Sequence, residues 1–203
     1  MPTGMTAMAR ILLATLMMLT LGLTSAANAA VVEKGARFEE RIDLDGERLE
    51  LTGTGIVKYR IVFTVYAAGL YLPPNTSSTE VLAADTPRRL EIEYFHDISA
   101  DDIIRGANTK LAEQLSASER DELQPKIERF HSLFQAVSDG DRYRMEYVPG
   151  EGTRLSFNGE PVGQVEGEAF AAAYFGIWLD ADNPLSTRLR DGLLTDVNDT
   201  SAD

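Results

Sequence analysis

A β-strand-like segment, residues 56–72, carries the side chains best suited to hold a ligand. Four of its polar residues share one parity and should lie on one face of the strand: Lys58, Arg60, Thr64 and Tyr66. At about 3.3 Å per residue, Arg60 and Thr64 would lie roughly 13 Å apart, close enough to contact opposite parts of one ligand of moderate length. Alternatively, the two cations lie at a solvent-exposed strand end and Tyr66 packs in the core.

The sequence lacks the motifs of nucleophilic, phosphate-binding and zinc-dependent sites. It contains no G-x-S-x-G elbow, P-loop or H-E-x-x-H pair, and it has no Cys, which excludes disulfides, thiolate ligands and thiol nucleophiles. Its two histidines, His96 and His131, have no Ser or Cys motif to activate, so we interpret them as surface or packing residues. We expect neither a metal nor a cofactor, and we assign no catalytic residue.

The composition indicates one acidic domain. The 203 residues are 44% hydrophobic, enough for one sizeable core, and their formal net charge is -13. Binding to a phosphate-rich polymer needs clustered Lys and Arg, whereas acidic residues are spread along this chain. Nucleic acid is therefore excluded as a partner, and the oligomeric state stays open.

The first 29 residues have the features of a bacterial export signal. Arg10 precedes an apolar run from Ile11 to Leu23, and Ala27-Asn28-Ala29 has the small-x-small form of a signal peptidase site. The run is shorter than the roughly 20 residues that a spanning helix needs. We predict cleavage near Ala29 and a periplasmic or secreted protein without a membrane span. Its domain should cover 30–194, and 195–203 should form a disordered acidic tail. An uncleaved membrane anchor is the alternative.

Turn residues and hydrophobic periodicity divide the remaining chain into strands and helices. The predicted strands are 38–43, 47–52, 56–72, 89–95, 142–148, 153–157 and 161–165. Two helices should begin near Ser99 and Ser118, the second with Pro125 near its first turns, and two more should cover 168–179 and 185–194. We expect 56–72 to be one central strand and 89–95 to expose one face to water.

The order of these elements predicts the fold class. Strands, helices, strands and helices follow one another in blocks, which favours an α+β fold over alternating βαβ units. The expected architecture is a large antiparallel sheet covered on one face by helices.

Five segments, taken together, resemble the chalcone isomerase-like superfamily. They are 65–72 (VYAAGLYL), 94–98 (YFHDI), 134–147 (FQAVSDGDRYRMEY), 149–158 (PGEGTRLSFN) and 175–184 (FGIWLDADNP), followed by 185–194. The resemblance covers about residues 50–194 and implies an open-faced β-sandwich with a cleft between sheet and helices. Members of this family include plant enzymes that cyclise chalcones, fatty-acid-binding relatives, and bacterial relatives to which the resemblance assigns no firm activity.

The resemblance is weaker at the catalytic positions of the isomerases. Those enzymes carry an Arg shortly after Gly-x-Gly, a Thr in the strand that ends Gly-x-Tyr-Leu, a helical Tyr and Asn, and a late Ser or Thr. This sequence has Val57 and Tyr66 at the first two positions, and the late hydroxyl falls at Ala173 or Ile177. Asn108 is a candidate for the helical Asn. Since the loss of one oxyanion donor typically costs about 3 kcal/mol, we do not expect efficient chalcone cyclisation.

The sequence therefore predicts an exported, non-catalytic protein that binds a small hydrophobic, fatty-acid-like ligand in the cleft. The expected ligand-binding residues are Lys58, Arg60, Thr64, Tyr66 and Asn108. The expected wall residues are drawn from Phe63, Tyr66, Leu70, Leu111, Phe130, Phe134 and Trp178. Two alternatives stay open: an isomerase or intramolecular lyase with Tyr66 as proton donor, and a structural or partner-docking envelope protein whose cleft is filled by side chains.

Overall fold

The computed structural model describes residues 30–59 and 63–197, and these form an antiparallel sheet with helices packed on it. The sheet has seven strands in the order β3-β4-β5-β6-β7-β8-β9, and all neighbours are antiparallel. The strands are β3 (Arg41–Leu44), β4 (Glu47–Tyr59), β5 (Phe63–Leu72), β6 (Arg88–Tyr94), β7 (Arg142–Val148), β8 (Gly152–Phe157) and β9 (Glu160–Val165). A separate hairpin joins β1 (Ala30–Glu33) to β2 (Ala36–Glu39).

In the described part of the chain, four helices accompany the sheet: α1 (Ala100–Gln114), α2 (Ala117–His131), α3 (Glu168–Leu179) and α4 (Thr187–Leu193). The side chain of Ser99 caps α1 by accepting from Asp102 N. The cap of α2 is Ser116, which forms a capping box with Glu119, so this helix begins before the predicted Ser118. Pro125 lies inside α2, about two turns from its start.

Helices α1, α2 and α3 pack with one face of the sheet around the main hydrophobic core. Helix α3 is apolar on all sides and lies deepest, with Phe170, Tyr174 and Phe175 buried among strand and helix side chains. This arrangement confirms the predicted α+β fold with helices on one face of a large antiparallel sheet.

The predicted single strand over 56–72 is wrong. Strands β4 and β5 are antiparallel neighbours, with Tyr59 paired to Phe63, and the connecting residues 60–62 lie outside the described part of the chain. The segment has no Gly, Pro, Asn or Asp between Val57 and Ala68 to indicate a turn. The hydrophobic pattern alone therefore predicted one continuous strand.

The second face of the sheet is covered rather than exposed at β6. The β1-β2 hairpin packs there around Phe38, and a set of cross-strand ion pairs fills the rest of this face. Arg142 pairs with Glu91 and Glu93, and Arg89 pairs with Glu146 at 2.5 Å. The alternating pattern of β6 located its charged face correctly, but paired charges can be buried where single ones cannot.

The last helix fixes the chain end to β4. Gly53 is needed at this contact, because a Cβ atom there would lie 2.1 Å from Gly192 O of α4. Thr52 Oγ1 donates to Leu193 O at 2.8 Å, and Asp196 N donates to Thr52 O at 2.9 Å. The first three residues of the predicted tail are therefore placed against β4, whereas 198–203 and the predicted export signal lie outside the described residues.

Candidate functional site

A cavity of about 260 Å³ lies between the sheet and the helices. Its floor is formed by β5, β6, β7 and β8, with apolar side chains that include Leu90, Ile92, Met145 and Leu155. Its roof is formed by α1 and α3, with Ile103, Ala107, Ile177 and Trp178, and its sides include Ile98 and Phe134. The cavity is therefore apolar, and it lies where the helices and the sheet are not in direct contact.

A β-bulge in β5 brings two consecutive side chains to this cavity. The pairing of β4 with β5 shifts by one residue between Val57–Tyr66 and Lys58–Thr64, which leaves Val65 as the extra residue. Neighbouring residues of a regular strand lie on opposite faces, yet Val65 and Tyr66 both line the cavity. The bulge therefore places two neighbouring side chains of β5, rather than one, in the wall of the cavity.

Tyr66 and Trp178 connect the floor to the roof. Trp178 Nε1 donates a hydrogen bond to the Tyr66 hydroxyl oxygen at 2.9 Å, and Tyr66 is 7% exposed. Burial raises the pKa of Tyr66 well above its ordinary value, so the phenol keeps its proton at neutral pH. Because the oxygen accepts from Trp178, the hydroxyl hydrogen stays free to donate to another group.

Three further tyrosines line the cavity beside Tyr66. The rings of Tyr66 and Tyr94 meet edge to face at 5.6 Å, and those of Tyr94 and Tyr143 at 6.3 Å. The Tyr174 hydroxyl is buried and has no hydrogen-bond partner among the described residues, whereas the Tyr143 hydroxyl bonds to the backbone of Gln135. Burial raises the pKa of Tyr94 and of Tyr174. The lining of the cavity therefore includes protonated tyrosines in an apolar surrounding.

Exposed lining residues mark the opening of the cavity, at α1 and the segment before α4. They are Asp102, Gly106 and Leu185. Hydrogen bonds from Ser99, and then from Arg105, lower the pKa of Asp102, so its carboxylate is charged at neutral pH. No Lys, Arg or His is found among the described residues that line the cavity.

The structure separates the sequence-predicted site residues from one another. Tyr66 lines the cavity, while Lys58 and Thr64 form a cross-strand pair beyond the bulge, where Lys58 is exposed and neither lines the cavity. Asn108 is exposed beside Arg105 and Thr109 in a shallow surface depression on α1. Arg60 lies outside the described residues, so its role stays a prediction.

Some expected wall residues line the cavity and others do not. Tyr66, Phe134 and Trp178 do, whereas Leu70, Leu111 and Phe130 are packed in the main core and Phe63 is 57% exposed. Sequence reasoning missed Tyr94, Tyr143 and Tyr174. The spacing of Tyr174 and Trp178, four residues apart on one helix, was the available signal for the roof.

His131 of α2 packs against Tyr174 in the roof of the cavity. Because this histidine is buried, it should make the stability of the protein pH-dependent. Its ring lies 5.8 Å from that of Tyr174, and burial lowers its pKa below the ordinary 6.5. Unfolding therefore takes up a proton below about pH 6.5, so stability is full above that pH and falls as the pH drops towards the folded pKa. We expect the free energy of unfolding in urea to decline by at most about 1.4 kcal/mol per pH unit from this group.

The variant that tests this prediction is His131→Gln. It should lose part of the decline in stability below about pH 6.5. Equal pH profiles for His131→Gln and the wild type would contradict the assignment.

Within residues 30–59 and 63–197, no helix has both the length and the apolar character to cross a bilayer. Among curated proteins, no sequence matches this chain. Of solved structures, a fatty-acid binding protein of Arabidopsis thaliana is similar in fold. It has 18% sequence identity and a TM-score of 0.63, and the match covers 82% of this chain and 96% of the plant protein.

The family assignment comes from the sequence model of a known family, described as chalcone isomerase-like, which matches residues 30–195. That range includes every strand and helix described above. The shared fold with the plant protein agrees with this match. The chain therefore belongs to the chalcone isomerase-like family.

Proposed function

We propose that this protein binds a small, largely apolar molecule in the cavity between sheet and helices, without transforming it. The observation that carries the proposal is an apolar cavity with the Tyr66 hydroxyl in its lining, since small-molecule sites are usually apolar with a few polar groups. The plant protein of similar fold is named as fatty-acid binding, which supports a ligand with a hydrocarbon chain.

The size of the cavity limits the ligand. Its volume of about 260 Å³ is slightly below the roughly 300–1,000 Å³ of typical small-molecule sites. A short or medium hydrocarbon chain fits such a volume better than a large polycyclic molecule. Burial of apolar ligand surface supplies about 25 cal/mol per Å², so even a small ligand gains useful affinity here.

Binding without catalysis is favoured by the residues at the isomerase-like positions. Val57 packs against the main core and Ile177 lines the cavity, and neither offers a hydrogen-bond donor from its side chain. The raised pKa of Tyr66 makes this phenol a weak acid as well as a poor base. A chalcone cyclisation assay in which the wild type and Tyr66→Phe both stay at the uncatalysed rate is the expected result. A rate that depends on Tyr66 would contradict the proposal.

Thermal unfolding and native mass spectrometry test ligand binding directly. A ligand at about 100 times its Kd should stabilise the folded protein by about 2.7 kcal/mol, which raises Tm. We therefore expect Tm to rise with decanol concentration, and native spectra to show one ligand per chain. The proposal would be contradicted if the protein purified from its own organism contains no ligand and its Tm does not change with decanol or with decanoate.

We also propose that the protein is exported and that the mature chain begins at Ala30. The support is the sequence pattern of Arg10, the apolar run and Ala27-Asn28-Ala29, together with a family match that begins at residue 30. The intact mass of protein from the periplasmic fraction should correspond to a chain that starts at Ala30. A mass that includes residues 1–29 would indicate an uncleaved anchor instead.

A further inference from the structure

We propose, resting on the proposed function, that the ligand is uncharged at neutral pH. It would carry a neutral oxygen group, a carbonyl, an ester or an alcohol, which accepts a hydrogen bond from the Tyr66 hydroxyl. This excludes a carboxylate as the bound form. The alternative is the sequence-based expectation of an acidic ligand end held by Arg60, which lies outside the described residues.

The hydrogen bonds of the cavity carry the first step. The Tyr66 oxygen already accepts from Trp178 at 2.9 Å, so its own hydrogen is the part left for a ligand. Tyr174 lines the cavity as well, but it is 1% exposed and its hydroxyl is buried away from the cavity space, so Tyr66 is the donor assigned to the ligand.

The charges around the cavity carry the second step. Among the described lining residues the one charged side chain is Asp102, at the opening and paired with Arg105. A carboxylate drawn into the cavity would lose its water without gaining a cation from the described lining residues, and would pass the Asp102 carboxylate at the opening. The net charge of -13 adds a long-range repulsion of anions.

The titratable groups near the cavity do not change this balance at neutral pH. Among the described residues, the titratable groups that line the cavity are one carboxylate and four phenols: Asp102 of α1, Tyr66 of β5, Tyr94 of β6, Tyr143 of β7 and Tyr174 of α3. His131 of α2 packs against Tyr174. Burial keeps the pKa of the tyrosines above neutrality and lowers the pKa of His131, so the phenols stay donors and the imidazole stays neutral.

A matched pair of probes, decanol and decanoate, tests the charge requirement. Only about one carboxylic acid in a thousand is protonated at pH 7.5, so decanoate should bind at least about 100-fold more weakly than decanol. Its apparent affinity should rise about tenfold for each unit of pH lowered between about pH 8.5 and 6.5, while that of decanol stays constant. Both can be measured by calorimetry on the full domain.

Three outcomes are distinguishable. Weak, pH-dependent decanoate binding beside tight decanol binding supports the inference. Decanoate binding that equals or exceeds decanol binding overturns the inference, while the proposed function stands. If Arg60→Gln then loses decanoate binding, Arg60 holds the carboxylate, as the sequence predicted. Absence of binding by both probes overturns the proposed function and this inference with it.

Tyrosine variants test the hydrogen bonds. Tyr66→Phe should bind decanol about threefold to tenfold more weakly, because it loses the hydroxyl that donates to the ligand oxygen. Tyr143→Phe is the matched control, since its hydroxyl is already engaged by Gln135 and its loss should leave decanol affinity unchanged. Equal decanol affinity in Tyr66→Phe and the wild type would overturn the assignment of Tyr66 as the donor.

Discussion

Gly106→Phe should weaken ligand binding by a factor of roughly 50 or more and leave the protein folded. Gly106 lies within α1, lines the opening of the cavity, and a Cβ atom there would meet nothing within 4 Å. A phenyl ring at this position can therefore enter the opening without displacing backbone. If it excludes roughly 100 Å² of apolar ligand surface, affinity should fall by about 2.5 kcal/mol, or roughly 50-fold or more. Calorimetry with decanol measures this.

The matched control is Gly106→Ala. A methyl group leaves the opening free, and replacing Gly by Ala inside a helix stabilises it by up to about 1 kcal/mol. Decanol affinity should therefore stay at the wild-type level while Tm rises slightly. Undiminished binding in Gly106→Phe would mean that the ligand does not use this cavity.

Phe130→Ala should cause the largest loss of stability. Phe130 is fully buried in α2, and its ring contacts those of Phe134, Phe170 and Tyr174 at 5.7, 5.2 and 4.6 Å. It joins α2 to α3 and supports the roof of the cavity. Truncation removes the buried ring and leaves a void, which typically costs about 3–5 kcal/mol. Urea unfolding at neutral pH measures the free energy of unfolding.

Phe63→Ala is the comparison for this truncation. Phe63 is 57% exposed at the start of β5, so its replacement should change the free energy of unfolding by about 0.5 kcal/mol or less. Similar losses in the two variants would contradict the assignment of Phe130 to the core that supports the cavity.

Much of the fold could be predicted because turns and caps have local signals. Asp45-Gly46 and Asn158-Gly159 both have positive φ angles and close the predicted hairpins. Strand β7 and helix α3 were predicted with their observed bounds. The β4-β5 hairpin was missed because its connection contains none of the usual turn residues, and a hairpin between two apolar strands then looks like one long strand.

The candidate site was harder to predict than the fold. Tyr66 has a visible parity, but the bulge that brings Val65 beside it depends on pairing with β4 and has no sequence signature. Helix α3 is apolar all round, so its pattern does not tell that Tyr174 and Trp178 face the cavity. The charge at the opening depends on how α1 packs on the sheet. That packing places Asp102 there and leaves Lys58 exposed on β4.

Trp178 fluorescence offers the most direct test of the central claim that the cavity takes up a small apolar molecule. Trp178 is the one tryptophan of the chain and lines the cavity, so the tryptophan emission of the protein comes from a residue at this site. Titration with decanol should produce a saturable change in emission with one-to-one stoichiometry, and Gly106→Phe should remove it. No saturable change in the wild type, or the same change in Gly106→Phe, would contradict the account.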